Sequence, residues 1–254
     1  MGQIIAVANQ KGGVGKTTTV INLGACLAAA EKRVLLVDFD PQANCTSGMG
    51  LSKSGEGLNT YAVLSGVATA EEAVTLTELP HLSILPGSIS LAGAEVELAG
   101  MDDREFVLKR ILDPIKDSFD YILIDCPPSL GLLTLNALVA ADEVLIPIQA
   151  EYYAIEGVSE LLRTLERIRE FLNPDLAVRG VLLTMVDERT NLGRQIAGEV
   201  QRFFGEKVYR CVVPRNVKLA EAPSFGKPII LYDIASRGAQ CYLQVAQEFM
   251  AHEC

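Results

Sequence analysis

A single doubly wound α/β domain spanning residues 1–254, with a mostly parallel sheet flanked by helices, is predicted by three observations. Short apolar runs rich in β-branched residues recur along the chain, and stretches with helical periodicity alternate with them. Several runs are apolar at nearly every position, as expected where helices cover both faces of a parallel sheet. No repeat, linker-like composition or low-complexity tract divides the chain.

The elements follow in order. Strands are expected at Ile4–Ala8, Val34–Asp38, Leu82–Leu85, Tyr121–Asp125, Glu143–Pro147, Gly180–Met185, Val208–Val213 and Pro228–Leu231. Helical patterns fall at Thr17–Ala30, Asp103–Ile115, Leu130–Val139, Ile155–Phe171, Asn191–Phe204 and Gly238–His252.

With 49% hydrophobic and 21% charged residues in 254, the chain can bury a large core and lacks the signature of disorder. The longest apolar runs are strand-sized and broken by Asp or Pro, so none is expected to span a bilayer. Met1-Gly2-Gln3 carries no basic leader, and a cytoplasmic protein is expected. Six cysteines, Cys26, Cys45, Cys126, Cys211, Cys241 and Cys254, are scattered without a C-x-x-C pair, and are read as reduced, mostly buried thiols. Net charge is −10, which by itself argues against nucleic acid. The acidity is uneven: residues 1–178 carry 12 Lys/Arg against 24 Asp/Glu, and residues 179–254 carry 10 against 8. The last third could therefore present a local basic face.

The strongest signal follows the first strand: Asn9-Gln10-Lys11-Gly12-Gly13-Val14-Gly15-Lys16-Thr17-Thr18, then a helix. Glycines at 12, 13 and 15 let the backbone curl around an anion with its N–H groups turned inward. The helix N-terminus adds its dipole. In such a loop Lys16 reaches the β- and γ-phosphates of a nucleotide and the Thr17 hydroxyl ligates Mg²⁺. Residues Gly12 to Thr18, Val14 included, are thus the expected phosphate cradle.

A second signal is Tyr121-Ile122-Leu123-Ile124-Asp125, a buried strand ending in a carboxylate, the pattern that holds Mg²⁺ beside a phosphate loop. Pro127, Pro128 and Gly131 after it suit a loop whose shape depends on the γ-phosphate. Cys126 is read as a small core residue, since no histidine stands near enough to activate it. A third signal is Val37-Asp38-Phe39-Asp40-Pro41-Gln42, at another strand's carboxyl end, where ligands bind in such folds.

The loop K-G-G-x-G-K-T, with lysine at position 11 and glutamine at position 10, resembles the deviant Walker A motif of the ParA/MinD/nitrogenase-iron-protein superfamily. That resemblance implies that Lys11 crosses a homodimer interface to the partner's nucleotide, so that two ATP molecules are sandwiched between subunits. The D-x-D-P-Q segment resembles the family's switch I, which implies that Asp40 positions the attacking water and the hydrated Mg²⁺. Asp38 either shares that role or braces the loop. Lys11, Lys16 and Asp40 are the expected catalytic groups, and Thr17, Asp40 and Asp125 the expected metal residues. No strong general base is visible, so hydrolysis is expected to be slow.

In the last third, Val213-Pro214-Arg215-Asn216 resembles the family's P-R-N segment, implying adenine contacts from Pro214 and Asn216. Met185, at a strand end, is either a face for the ring or core filling. Ser90–Glu95, Gly131–Thr134, Glu151–Ala154 and Glu221–Ser224 extend the resemblance, toward the Soj-like branch, over essentially the whole chain. In that branch the ATP dimer binds double-stranded DNA without sequence preference, which implies association with the nucleoid. Arg189 matches a DNA-contacting position and Lys218 is a weaker candidate. A ParB/Spo0J-type centromere-binding protein, with a basic N-terminal segment, is the implied partner, and the acidic first two thirds of the chain suit it.

Three relatives of the same superfamily are alternatives. A membrane-bound MinD-like regulator would need a basic amphipathic C-terminal helix. Here Leu243, Ala246, Phe249 and Met250 oppose Glu and Gln, which suits core packing better than anionic lipid. An iron protein would need two suitably placed cysteines per subunit, and only Cys126 lies near the site. A metabolic ligase or synthetase would need a substrate pocket that the sequence does not declare.

Overall fold

The computed structural model describes residues 2–54, 57–151, 154–186 and 191–251. Eight strands form one sheet: β1 Gln3–Val7, β2 Val34–Asp38, β3 Thr75–Leu76, β4 Leu82–Leu85, β5 Tyr121–Asp125, β6 Glu143–Gln149, β7 Ala177–Val186 and β8 Val213–Pro214. Their order is β3-β4-β2-β5-β1-β6-β7-β8, and every neighbouring pair is parallel except β3 with β4. Strand β1 lies between β5 and β6, so the chain leaves the centre of the sheet in both directions, and a crevice opens beyond the strands' carboxyl ends.

Alternation along each strand splits the core into two layers. Ile4, Ala6, Leu35, Val37, Ile122 and Ile124 face one cluster, with Leu133 and Leu161 from the helices Leu132–Ala140 and Ala154–Phe171. Ile5, Val7, Leu36 and Leu123 face the other, beneath the helices Lys16–Ala29 and Arg237–Ala251. Both faces of the central strands are therefore dry, which is why their sequence reads as continuous apolar runs.

The C-terminal helix is a core element. Tyr242, Val245, Ala246 and Phe249 are buried, so the packed face includes Tyr242 and Val245 as well as the apolar stripe read from sequence. Buried Arg179 on β7 anchors it. The guanidinium lies 3.7 Å from the centre of the Phe249 ring, donates to the Phe249 carbonyl at 2.6 Å, and pairs with Glu143. Among the described residues, no helix is long and apolar enough to cross a membrane.

Several elements differ from the sequence-based expectation. Pro228–Leu231 is not a strand: Ile229–Tyr232 is one helical turn with Pro228 as its N-cap. A four-residue apolar run cannot distinguish the two by periodicity, and proline at a helix start favours the turn. The strand expected over Val208–Val213 shrinks to Val213–Pro214 plus a single bridge from Val208 to Val181. The helix expected over Asp103–Ile115 is a short α-helix, Val107–Leu112, between two 3₁₀ segments, with Pro114 starting the second. The helix Leu91–Ala99 and the edge strand β3 were not anticipated.

Candidate functional site: a phosphate loop facing a buried carboxylate

The loop between β1 and the Lys16–Ala29 helix is tied down at both ends. Asn9 donates from Nδ2 to the Pro147 carbonyl at 2.7 Å and accepts the Lys11 N–H at 3.0 Å. Thr184 on β7 donates its hydroxyl to the Val14 carbonyl at 2.8 Å. Gly13 and Gly15 have φ of 76° and 87°, in the left-handed region that side chains avoid, and Gly15 is the helix N-cap. Two of the three glycines, Gly13 and Gly15, are thus conformational requirements of the loop.

Register brings the acidic residues to it. In the sheet Asp125 pairs with Val7 on one side and with Asp38 on the other, so the carboxyl ends of β1, β2 and β5 meet beside the loop. Lys16 is only 6% exposed, and its ammonium donates to the Lys11 carbonyl at 3.2 Å. Burial lowers the Lys16 pKa, opposed by the negative charge of Asp125 and Asp40. Asp125 is fully buried, and neither carboxylate oxygen closes a well-formed hydrogen bond. Burial, then the neighbouring Asp38, push its carboxyl well above the ordinary range, while the nearby Thr17 hydroxyl and Lys16 ammonium pull the other way.

An unpartnered buried carboxylate beside two more acids is expensive unless something cationic joins it. The donor set is all oxygen: the Asp125 and Asp40 carboxylates and the Thr17 hydroxyl. That is the preference of a hard divalent cation such as Mg²⁺, so the residues present fit the expected metal.

Asp38 does something different from Asp40. Its carboxylate accepts the Thr46 N–H at 2.7 Å and the Thr46 hydroxyl at 2.6 Å, and is completely buried. The Thr46 hydroxyl in turn accepts the Gly87 N–H at 2.7 Å, and the Thr60 hydroxyl donates to the Asp38 carbonyl at 3.1 Å. Asp38 therefore ties together the short helix Asn44–Gly48, the Gly87 segment and the start of the helix Thr60–Leu64, the bracing role among the two considered for it. Asp40 sits at the start of the braced segment, 6% exposed, accepting the Gln42 N–H at 2.9 Å. Burial lifts the Asp38 carboxyl to about 6, against the hydrogen bonds that favour its charge.

The loop after Asp125 approaches the phosphate loop where Pro128 lies beneath Gly12. Its far end is held by the Thr134 hydroxyl, which donates to the Ser129 carbonyl at 2.6 Å. Glu95, on the unanticipated Leu91–Ala99 helix, packs against Gly131 and accepts the Leu133 N–H at 3.4 Å.

Next to Gly15 and Thr18 opens a cavity of about 270 Å³, walled by Thr184, Met185, Val213, Pro214, Asn216, Leu219 and Tyr242. Met185, Pro214 and Asn216 were expected there. Met185 has φ of 54°, unusual for a side-chain-bearing residue, and the strain puts its side chain at the cavity. Asn216 caps the short helix Val217–Glu221 by accepting the Leu219 N–H at 3.2 Å. Tyr242 and Thr184 were missed. The Tyr242 hydroxyl meets that of Thr19 at 3.1 Å, joining the C-terminal helix to the helix that follows the phosphate loop. A larger groove of about 860 Å³, walled by Gln201, Val208, Arg210 and Glu248, lies away from the glycine loop.

Lys11 does not point at its own subunit's cradle. It forms an exposed ion pair with Glu151, and the adjacent Gln10 donates to Glu160 at 2.8 Å. Lys218 lies on the surface paired with Glu221 at 3.2 Å, its ammonium 5.5 Å from the centre of the Tyr232 ring. Arg189 lies outside the described residues.

Residues 2–178 match the family profile described as an AAA domain. The sporulation initiation inhibitor protein Soj of Bacillus subtilis is 57% identical over 99% of this chain and 100% of its own length. The chromosome partitioning protein ParA of Myxococcus xanthus is 53% identical over 100% of this chain and 89% of its own. Among solved structures, cobyrinic acid a,c-diamide synthase from Mycobacterium smegmatis with bound ADP and magnesium superposes with a TM-score of 0.87. It is 38% identical, covering 100% of this chain and 96% of that one. The synthase shares the fold and a nucleotide site, but the full-length identity to Soj and ParA is far higher. With its deviant loop, its paired switch segments and this full-length kinship, the chain belongs to the Soj/ParA family of chromosome-partitioning ATPases.

Proposed function

We propose that residues 1–254 act as one domain that binds ATP and Mg²⁺, dimerises around two nucleotides, and in that state holds DNA non-specifically until hydrolysis releases it. The observation that carries the reading is Asp125, a fully buried carboxylate neither oxygen of which closes a well-formed hydrogen bond, facing Lys16 and Thr17 beside the glycine loop.

Phosphoryl transfer to water demands positioning and charge neutralisation more than covalent chemistry. Backbone N–H groups of Gly12 to Thr18 and the Lys16 ammonium receive the phosphates. The adenine enters the cavity between Met185 and Pro214, with Asn216 at its edge. Thr17 and Asp125, with Asp40 nearby, would hold Mg²⁺, which when bound neutralises charge on the β- and γ-phosphate oxygens. Asp40 orients the attacking water by accepting its hydrogen bond. Lys11 leaves Glu151 and reaches the partner subunit's nucleotide; its outward position in the single subunit supports this reading.

Arg189 and, more weakly, Lys218 contact DNA phosphates in the dimer and place the protein on the nucleoid. The pairing of Lys218 with Glu221 leaves it little net charge to offer, so Arg189 carries more of the contact. A ParB/Spo0J-type protein stimulates hydrolysis through a basic segment. The test is light scattering of the wild-type protein, Lys11→Ala and Asp40→Ala with ATP·Mg²⁺ and with ADP. Dimers in ATP that persist in Asp40→Ala and are lost in Lys11→Ala are expected. An Asp40→Ala protein that binds ATP yet stays monomeric overturns the scheme.

A further inference from the structure

Of the six cysteines, Cys26, Cys45 and Cys126 are buried, and burial drives all three thiols upward, Cys26 to about 12. Cys211 and Cys241 are different: both are only partly buried, and each thiol reaches the backbone of the other's segment. Cys211 Sγ lies 3.4 Å from the Cys241 carbonyl oxygen, and Cys241 Sγ lies 3.3 Å from that of Val212. These reciprocal contacts bring the two side chains together across the seam between the β8 lead-in and the C-terminal helix. Glu248, about two turns further along that helix, accepts the Arg210 and Cys211 N–H groups at 2.8 and 3.3 Å, so the seam is already docked.

The seam borders the nucleotide cavity. Cys211 precedes Val213 and Pro214 by two and three residues, and Cys241 directly precedes Tyr242; all three neighbours wall the cavity. We propose that Cys211 and Cys241 are a modification site: a peroxide oxidises them to an intramolecular disulfide that draws the two cavity walls together and weakens ATP binding. The consequence for ATP rests on the nucleotide-site reading above; the disulfide itself does not.

The chemistry balances with hydrogen peroxide as oxidant. The Cys241 sulfur, as thiolate, attacks one peroxide oxygen and breaks the O–O bond, giving a sulfenic acid and hydroxide. The hydroxide takes up the proton Cys241 lost and leaves as water. The Cys211 sulfur then displaces the sulfenic oxygen, which departs with the Cys211 proton as a second water. Two thiols lose two electrons and two protons, and one peroxide becomes two waters. The Cys211 proton is held by its hydrogen bond to Cys241 and by partial burial, which raises the Cys211 thiol and disfavours Cys211 as the first nucleophile. Closing a hydrogen-bonded thiol pair to an S–S bond of about 2.05 Å moves the sulfurs on the order of 1 Å or more. The same displacement passes to Pro214 and Tyr242, and misplacement on that scale is costly to a bound ligand.

The experiment uses the full chain carrying Cys254→Ser, which removes the one cysteine outside the described residues. Reduced protein is treated with hydrogen peroxide, digested without reductant and mapped by mass spectrometry, and its affinity for a fluorescent ATP analogue with Mg²⁺ is measured before and after. Expected is a Cys211–Cys241 linked peptide, with affinity falling about tenfold. Dithiothreitol should restore it, and neither Cys211→Ser nor Cys241→Ser should show the loss. Separate sulfenylation of the two thiols without a linked peptide overturns the proposal. A linked peptide with unchanged affinity does so too. Reduced protein that fails to bind the analogue at all, yet forms the linked peptide, overturns the nucleotide-site reading and with it the regulatory consequence.

Discussion

Replacing Asp125 with asparagine should make the nucleotide-free protein more stable while depriving it of most of its response to ATP·Mg²⁺. The side chain is fully buried, neither oxygen closes a well-formed hydrogen bond, and two further carboxylates, Asp38 and Asp40, are close enough to oppose its charge. A buried group left unsatisfied costs about 1–3 kcal/mol, and asparagine keeps the shape while offering N–H donors toward the neighbouring acids. Lys16 loses one favourable charge but keeps Asp40 and the Lys11 carbonyl, so a net gain of about 1–2 kcal/mol is expected. In a chain of this size that raises Tm by about 2–8 °C. The sign of the pH dependence follows from the raised folded pKa. The wild type becomes less stable as pH rises from about 3.9 toward the folded value, so the asparagine advantage grows over that window and then levels. Saturating ATP·Mg²⁺ at about 100 times Kd adds about 2.7 kcal/mol to a protein that binds it, and the variant should lose most of this. Differential scanning fluorimetry with and without ATP·Mg²⁺ reads both effects. A variant less stable than wild type without nucleotide, or one stabilised equally by ATP·Mg²⁺, would refute the reasoning.

Three further outcomes are expected. Gly87→Ala sets a Cβ 2.7 Å from the Asp38 carboxyl carbon, and should cost about 1–3 kcal/mol of stability. It should also lower kcat more than ATP affinity, because the brace on the Asp40 segment moves while the phosphate loop does not; equal losses in both would contradict this. Glu151→Gln releases Lys11 from its exposed ion pair and should tighten ATP-dependent dimerisation about two- to fivefold by analytical ultracentrifugation. Weaker dimerisation would show that Glu151 is needed in the dimer itself. Asp120 is held below the usual carboxylate range by its hydrogen bonds from Arg33. Its stabilisation is therefore complete above about pH 4 and lost as pH falls through the lowered value. The gap between wild type and Asp120→Asn in urea melts should be constant above that pH and shrink below it.

What was legible in the sequence follows from how local each requirement is. The phosphate loop announces itself because only glycine tolerates the backbone at Gly13 and Gly15, and because Lys16 and Thr17 must follow directly. Asp125 was readable because a buried strand ending in a carboxylate, a weak signal by itself, gains weight when a phosphate loop stands in the same chain. The role of Asp38 was not: its partners Thr46 and Gly87 come from distant segments, and only the folded chain brings them together. Glu151 shares the difficulty, 140 residues from Lys11. Tyr242 lay beside the stripe of Leu243, Ala246, Phe249 and Met250 read as core packing; it is buried with that stripe, and its hydroxyl also meets Thr19 next to the cavity it helps to wall. The Pro228–Leu231 run failed for a simpler reason, since four apolar residues fit a strand or a helical turn equally well.

The central claim is that nucleotide state switches DNA affinity, and binding to random-sequence duplex DNA tests it most directly. Wild type and Arg189→Ala would be compared with ATP·Mg²⁺, with ADP and without nucleotide, at low and moderate salt. Binding that requires ATP, falls steeply with salt and is lost in the variant is the predicted result. ATP-dependent dimers that show no affinity for DNA at either salt would contradict it.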